Sequence, residues 1–256
     1  QLNCITDSLA KQAVYQSLAP SHSHTMVQTL PHERAAVYVN NIKQTTDVAT
    51  DVRFSLGMVD AERFYCRPVD KGGLGWSRES FHTVDWRVLD AALANKGKMY
   101  KLWLAKQCSG FCGTQTMVAH WDRARDGKCP NCQRTETARH LNLCPSRDRT
   151  RLLYEMTDDL QKWLDTSYAH PELAHWLPRY IKLRGTRSLT SFPLESRDMM
   201  GVAVALDAVG WGNFMEGKLP KAIFSLQASA LACSPSKLSI IDWSKQLVSR
   251  ILHISH

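Results

Sequence analysis

The chain has 256 residues, 44% of them apolar, enough to bury one substantial core or two modest ones, which excludes a wholly disordered polymer. It holds no run of 18 apolar residues, and its first twenty residues lack the charged-then-apolar order of a secretory signal, so it reads as intracellular, in nucleus or cytoplasm, with no membrane partner. The formal net charge is +8, and residues 96–151 hold twelve Lys and Arg against four acids, so the whole surplus sits in that stretch and points to a polyanionic partner.

In chain order, residues 1–18 read as an amphipathic helix with Leu9, Ala13 and Leu18 on one face, as if the chain began inside an upstream domain. Residues 19–75 read as a linker: His, Ser and Pro dominate 19–34, residues 35–46 allow a short β-hairpin about Asn40-Asn41, and the glycines of Lys71–Trp76 make a loop. Residues 76–166 form a first helical domain. In it Trp86, Leu89 and Leu93 mark one helix, Met99, Leu102, Trp103 and Lys106 a second, and residues 114–123 a third. Leu152, Leu153, Met156, Leu160, Trp163 and Leu164 mark a helix of about five turns over 146–166. Residues 167–256 form a C-terminal helical region, with helices expected over 171–183, 197–217, 219–232 and 237–254. The fold class is mainly α.

The strongest chemical signal is Cys129-x2-Cys132, seven residues, His140, x3, Cys144. Two thiolates two residues apart can chelate one ion from a tight turn. A His and a Cys four apart project from one face of a helical turn and complete a tetrahedron. This Cys3His knuckle should hold one structural zinc ion, because four protein ligands leave no open position for a substrate or water. Pro130 stiffens the turn, and residues 135–138 supply a cap-like entry to a short helix expected to carry His140 and Cys144. Cys108 and Cys112 also have helical spacing, but glycines flank Cys112 and no second pair lies nearby in sequence.

The string KLWLAKQCSGFCG, a short segment ending in Trp121, and then CPNCQRTETARHLNLC resemble the zinc-binding region of retroelement reverse-transcriptase polyproteins. The matching residues are Cys129, Cys132, Glu136, Thr137, His140, Leu141 and Cys144, about a sixth of the chain. A second stretch, LNCITDSLAKQA, resembles the last helix of a ribonuclease H domain, with Thr6 where alanine is usual, and makes Asp7 the counterpart of a metal-binding carboxylate. The other carboxylates of such a site would lie upstream, and a lone Asp cannot hold two metal ions, so the chain by itself should not be a nuclease. It carries no Tyr-x-Asp-Asp turn around Asp158 and Asp159 and no Gly-x-Ser-x-Gly elbow. Catalysis is not expected of this chain, although the parent the resemblance implies would be a reverse transcriptase with ribonuclease H.

The functional expectation is a non-catalytic accessory region that grips RNA or DNA phosphates with Arg123, Arg125, Lys128, Arg134, Arg139 and Arg147 around the knuckle. Trp121 and Phe111 could stack unpaired bases, whereas Trp103 fits core packing better. The alternative is a zinc-locked helical scaffold that meets protein, such as the remainder of a parent polyprotein.

Overall fold

The computed structural model describes residues 37–39, 42–44, 47–233 and 238–256, and the chain divides into two compact units, 1–63 and 64–256. The helix expected over 1–18, Asp7, the stretch 19–34 and the Asn40-Asn41 turn lie outside the described residues.

In the first unit, strand β1 (Val37–Val39) pairs antiparallel with β2 (Ile42–Gln44), Tyr38 opposite Lys43. Helix α1 (Val48–Cys66) follows and runs across the boundary into the second unit. Asp47 starts it: its carboxylate accepts from Thr50 N at 3.2 Å and from Thr50 Oγ1 at 2.6 Å. This nineteen-residue helix occupies part of the stretch that composition reads as linker. Its apolar residues fall on no single face, Leu56 and Val59 are exposed, and none of its residues is buried, so no hydrophobic period announces it.

The regular elements among the second unit's described residues are helices, joined by loops with two isolated β-bridges: α2 (Arg78–Thr83), α3 (Trp86–Leu93), α4 (Lys98–Ser109), α5 (Gln115–Trp121), α6 (His140–Leu143), α7 (Arg147–Thr166), α8 (Pro171–Lys182), α9 (Arg197–Val209), α10 (Trp211–Met215), α11 (Lys221–Ala232) and α12 (Ile240–Ser255). The caps are local chemistry. Ser77, Asp85, Thr114, Ser196 and Ser239 each accept from a backbone N–H in the first turn of the helix they precede. Pro171 opens α8 at a position where its missing N–H costs nothing.

Helix α12 is the core's axis: Trp243, Leu247 and Ile251, four residues apart, and Val248 and Leu252 beside them are fully buried on one face, and the helix packs on α3, α7, α10 and α11. Helices α7 and α8 pair closely, with Leu160 and Leu164 meeting the buried face of Leu173, Leu177 and Ile181. Leu152, on the expected stripe of α7, is half exposed, because the buried face runs through Leu153, Thr157, Leu160 and Leu164 instead. The single helix expected over 197–217 is two, because Gly210 turns the chain between α9 and α10 with φ 82° and ψ 147°. No helix among the described residues is long and apolar enough to cross a membrane.

Candidate metal centre

The knuckle is a hairpin-like loop followed by one helical turn. Cys129 N donates to Arg134 O at 2.7 Å, Gln133 N to Cys129 O at 2.8 Å and Glu136 N to Gly127 O at 2.9 Å, which closes the loop that presents Cys129 and Cys132. Gln133 takes the left-handed conformation, φ 62°, immediately after Cys132. His140 opens α6, its N–H meeting Thr137 O at 3.0 Å and Thr137 Oγ1 at 3.3 Å, and Cys144 follows the turn.

These elements bring the four expected ligands together. Cys129 Sγ lies 3.8 Å from Cys144 Sγ, and Cys132 Sγ lies 3.2 Å from His140 Nε2. All four ligand atoms lie within 4.8 Å of one another, so the group could hold one metal ion. Cys129, His140 and Cys144 are buried and Cys132 is partly so. Cys108 and Cys112 join no such group among the described residues; Cys108 faces Lys218 Nζ at 3.5 Å instead.

Electrostatics favour a thiolate at Cys144. Burial pushes this thiol up, but the Ser146 backbone, the Ser146 hydroxyl and the neighbouring thiols outweigh burial and hold it down to about 6. Ser146 Oγ is a buried atom without a hydrogen-bond partner. Cys132 moves the other way, raised chiefly by burial. Arg184, forty residues downstream, donates from Nη1 to Cys144 O at 3.0 Å and so fixes the backbone behind that ligand.

Two further residues tie the knuckle to its surroundings. Gln107 on α4 donates from Nε2 to Ala138 O at 2.7 Å. Glu136 caps α5: its Oε2 accepts from Gln115 N at 2.8 Å and its carbonyl accepts from Thr116 N at 3.3 Å and from Thr116 Oγ1 at 2.7 Å. With Thr114 Oγ1 taking Met117 N at 3.5 Å, the first three orphan donors of α5 are satisfied. Glu136 and Thr137 belong to the recognised string, and their work is mechanical; Gln107 and Arg184 have no local sequence signal because they act across 31 and 40 residues.

The basic residues flank the four ligands in sequence. Arg123, Arg125, Lys128, Arg134, Arg139 and Arg147 are all exposed. Arg125 pairs with Asp122 at 3.6 Å and Lys128 with Asp126 at 3.7 Å, while Arg123, Arg134, Arg139 and Arg147 make no ion pair among the described residues. Glu136, one of the stretch's four acids, is buried at the α5 cap. Trp121 is 71% exposed at the end of α5 and Phe111 65% exposed. Trp103 instead packs against the core, its ring 5.4 Å from Tyr100 and 4.5 Å from His256.

Compared with protein-family models, curated proteins and solved structures, the chain matches none of them.

Proposed function

We propose that this chain is a zinc-stabilised, non-catalytic nucleic-acid-binding region of a retroelement-like reverse-transcriptase polyprotein. The observation that carries the binding reading is the exposure of largely unpaired guanidinium groups and of the Trp121 indole in the same stretch of chain that supplies the Cys3His cluster. Zinc is the ion the donor set favours. Three sulfurs and one imidazole nitrogen suit a borderline-soft ion, and tetrahedral bonds of about 2.0–2.3 Å give ligand-to-ligand edges of roughly 3.3–3.8 Å; the Cys129–Cys144 edge of 3.8 Å matches, the Cys132–His140 edge of 3.2 Å is slightly shorter, and every pair lies within 4.8 Å. The ion's chemical contribution is cross-linking. Cys129 and Cys132 hold the loop, His140 and Cys144 hold the helical turn, and all four positions are taken by protein.

Three thiolates and a dication leave a net charge of about −1, which the nearby Arg134, Arg139 and Arg147 offset. The remaining positive charge meets phosphate, and stacking on Trp121 adds affinity that any unpaired base can collect. Phosphate contacts of this kind position a strand without reading its sequence, so the same surface serves RNA and DNA.

Binding of a fluorescent single-stranded oligonucleotide, titrated at increasing salt, tests the reading. Six phosphate contacts give a slope near −4 in log affinity against log salt, a loss of roughly 10² to 10³ between about 50 and 200 mM. Changing Arg123, Arg134 and Arg147 together to Glu should abolish binding while the melting temperature stays put. A salt-insensitive affinity, or one unchanged in the triple variant, favours the protein scaffold instead.

A further inference from the structure

Beside the knuckle lies a cavity of about 260 Å³, walled by α4, α6, the 184–185 turn and the α9–α10 junction. Its polar groups are unusual. Gln107 is 4% exposed and gives its amide N–H to Ala138 O, which fixes the orientation of the amide and leaves Oε1 as a buried acceptor without a partner. Arg184, engaged through Nη1 at Cys144 O, leaves Nε–H as a buried donor without a partner. Both residues line the cavity. Buried polar atoms are almost always satisfied, so two orphans of opposite sense on one cavity mark a place where something polar binds.

The backbone around the cavity is held in costly conformations. Arg184 has φ 51° and Gly185 has φ 66°, consecutive left-handed residues of which the first is not glycine. A Cβ at Gly185 would stand 3.2 Å from Trp211 Cβ, and Gly210 adopts a conformation open essentially to glycine alone. Strain of this kind persists where the fold over-determines it and gathers at binding sites. Arg139, exposed and unpaired among the described residues, lies at the cavity beside Gly212.

We infer that this cavity takes one unstacked nucleotide of a bound strand, its base edge hydrogen-bonded to Gln107 Oε1 and Arg184 Nε and its phosphate met by Arg139. The inference rests on the nucleic-acid reading above and deepens it. The volume fits: it exceeds the ~30 Å³ share of one water several times over, yet falls short of the ~300 Å³ at which drug-sized clefts begin, so it suits a single base rather than a larger ligand. The chemistry fits as well. A buried acceptor and a buried donor on residues of one cavity complement the amide or amidine edge of a nucleobase, and Trp211, whose indole N–H is already given to Tyr180 O at 3.0 Å, adds apolar wall. Unpaired bases are the part of a strand that proteins can splay out and read on such edges.

Calorimetry on the zinc-loaded full chain, with each of the four ribonucleoside monophosphates and with inorganic phosphate, is the test, run beside oligonucleotide binding. At least one monophosphate should bind well above inorganic phosphate. Gly212→Leu, which puts a side chain where only Arg139 Nε stands within 4 Å, should weaken both that monophosphate and the oligonucleotide by about tenfold or more. Gly212→Ala, a smaller change on the same helix, should weaken them less and keeps the test open if the leucine variant melts early. Oligonucleotide binding that persists unchanged in both variants, with no monophosphate bound, overturns the inference and leaves the nucleic-acid reading standing. Monophosphate binding lost on Gly212→Leu, with no oligonucleotide bound, supports the pocket and overturns the strand-binding reading. Binding of phosphate alone, equal to that of every monophosphate, overturns base recognition.

Discussion

Glu136 Oε2 accepts a 2.8 Å hydrogen bond from Gln115 N, so the acid inside the recognised Cys-Cys-His-Cys string serves as the remote cap of the helix that ends in Trp121. A carboxylate at a helix N-terminus satisfies an orphan donor and meets the positive end of the helix dipole. Glu136→Ala leaves Gln115 N unpaired in a partly buried site and should cost about 1–3 kcal/mol of stability. Glu136→Gln retains an acceptor there and should recover part of it. Denaturant melts of the two variants check this, and equal midpoints for both and the parent would remove the cap from the account.

Metal removal should act through folding. A site that assembles four ligands from a loop and a separate helical turn has no counterpart in the unfolded chain, so metal affinity is folding free energy for the knuckle. Native mass spectrometry should find one zinc per chain in the parent and none in Cys132→Ser, and the variant should lose helical circular dichroism and melt earlier. The core of α7, α8, α9 and α12 is built from residues outside the knuckle, so loss should be partial rather than complete. A Cys132→Ser protein whose spectrum and melt match the parent, with and without chelator, would falsify the structural metal.

Trp121 offers a cleaner separation of binding from stability. It is 71% exposed, so Trp121→Ala should move the melting free energy by no more than about 0.5 kcal/mol. Base stacking on an aromatic side chain is worth about 1–3 kcal/mol, so single-strand affinity should fall roughly five- to 150-fold. Duplex binding, in which bases are already stacked, should change much less. Parallel titrations of single and double strands measure the difference.

The parts that the sequence makes legible are those whose physics is local. The ligand spacing of Cys129, Cys132, His140 and Cys144 is local, and so is the stripe of α7. Helix α1 is not legible, because Leu56 and Val59 are exposed and no apolar face forms. The break at Gly210 is hidden because glycine inside a helical pattern does not reveal its own φ. The buttressing of the centre is hidden for another reason: Gln107 reaches Ala138, Arg184 reaches Cys144 and Lys218 reaches Cys108 across 31, 40 and 110 residues, and no window of sequence holds both partners.

Alkali should destabilise the second unit through Cys108 and Tyr65. Burial first, helped by the Glu216 carboxylate and only partly opposed by the Lys218 ammonium, pushes both groups up to about 12, from 9.0 for the thiol and 10.0 for the phenol. Because the folded-state values exceed the unfolded ones, their contribution is fully present below about pH 9 and is lost as pH rises toward 12. Denaturant midpoints should therefore fall progressively above pH 9 in the parent. Cys108→Ala should flatten the fall between pH 9 and 10, before Tyr65 begins to titrate in the unfolded chain. An identical slope in that variant would assign the alkaline loss elsewhere.

The ammonium of Lys218 is 1% exposed, paired with the buried Glu216 carboxylate and set over the rings of Tyr65 and Trp76 at 5.3 Å and 5.8 Å. Removing one member of a buried pair strands the other charge in low dielectric, so Lys218→Met should cost about 3–5 kcal/mol. Adding Glu216→Gln removes the stranded carboxylate, and the double variant should regain a substantial part of that loss. The sign of this coupling decides between two accounts of the same residue. If the pair acts as a unit, the second change is stabilising in the Lys218→Met background and destabilising in the parent. If Lys218 matters only as packing under the two aromatic rings, Glu216→Gln has the same effect in both backgrounds, and a double-mutant cycle in urea distinguishes the outcomes.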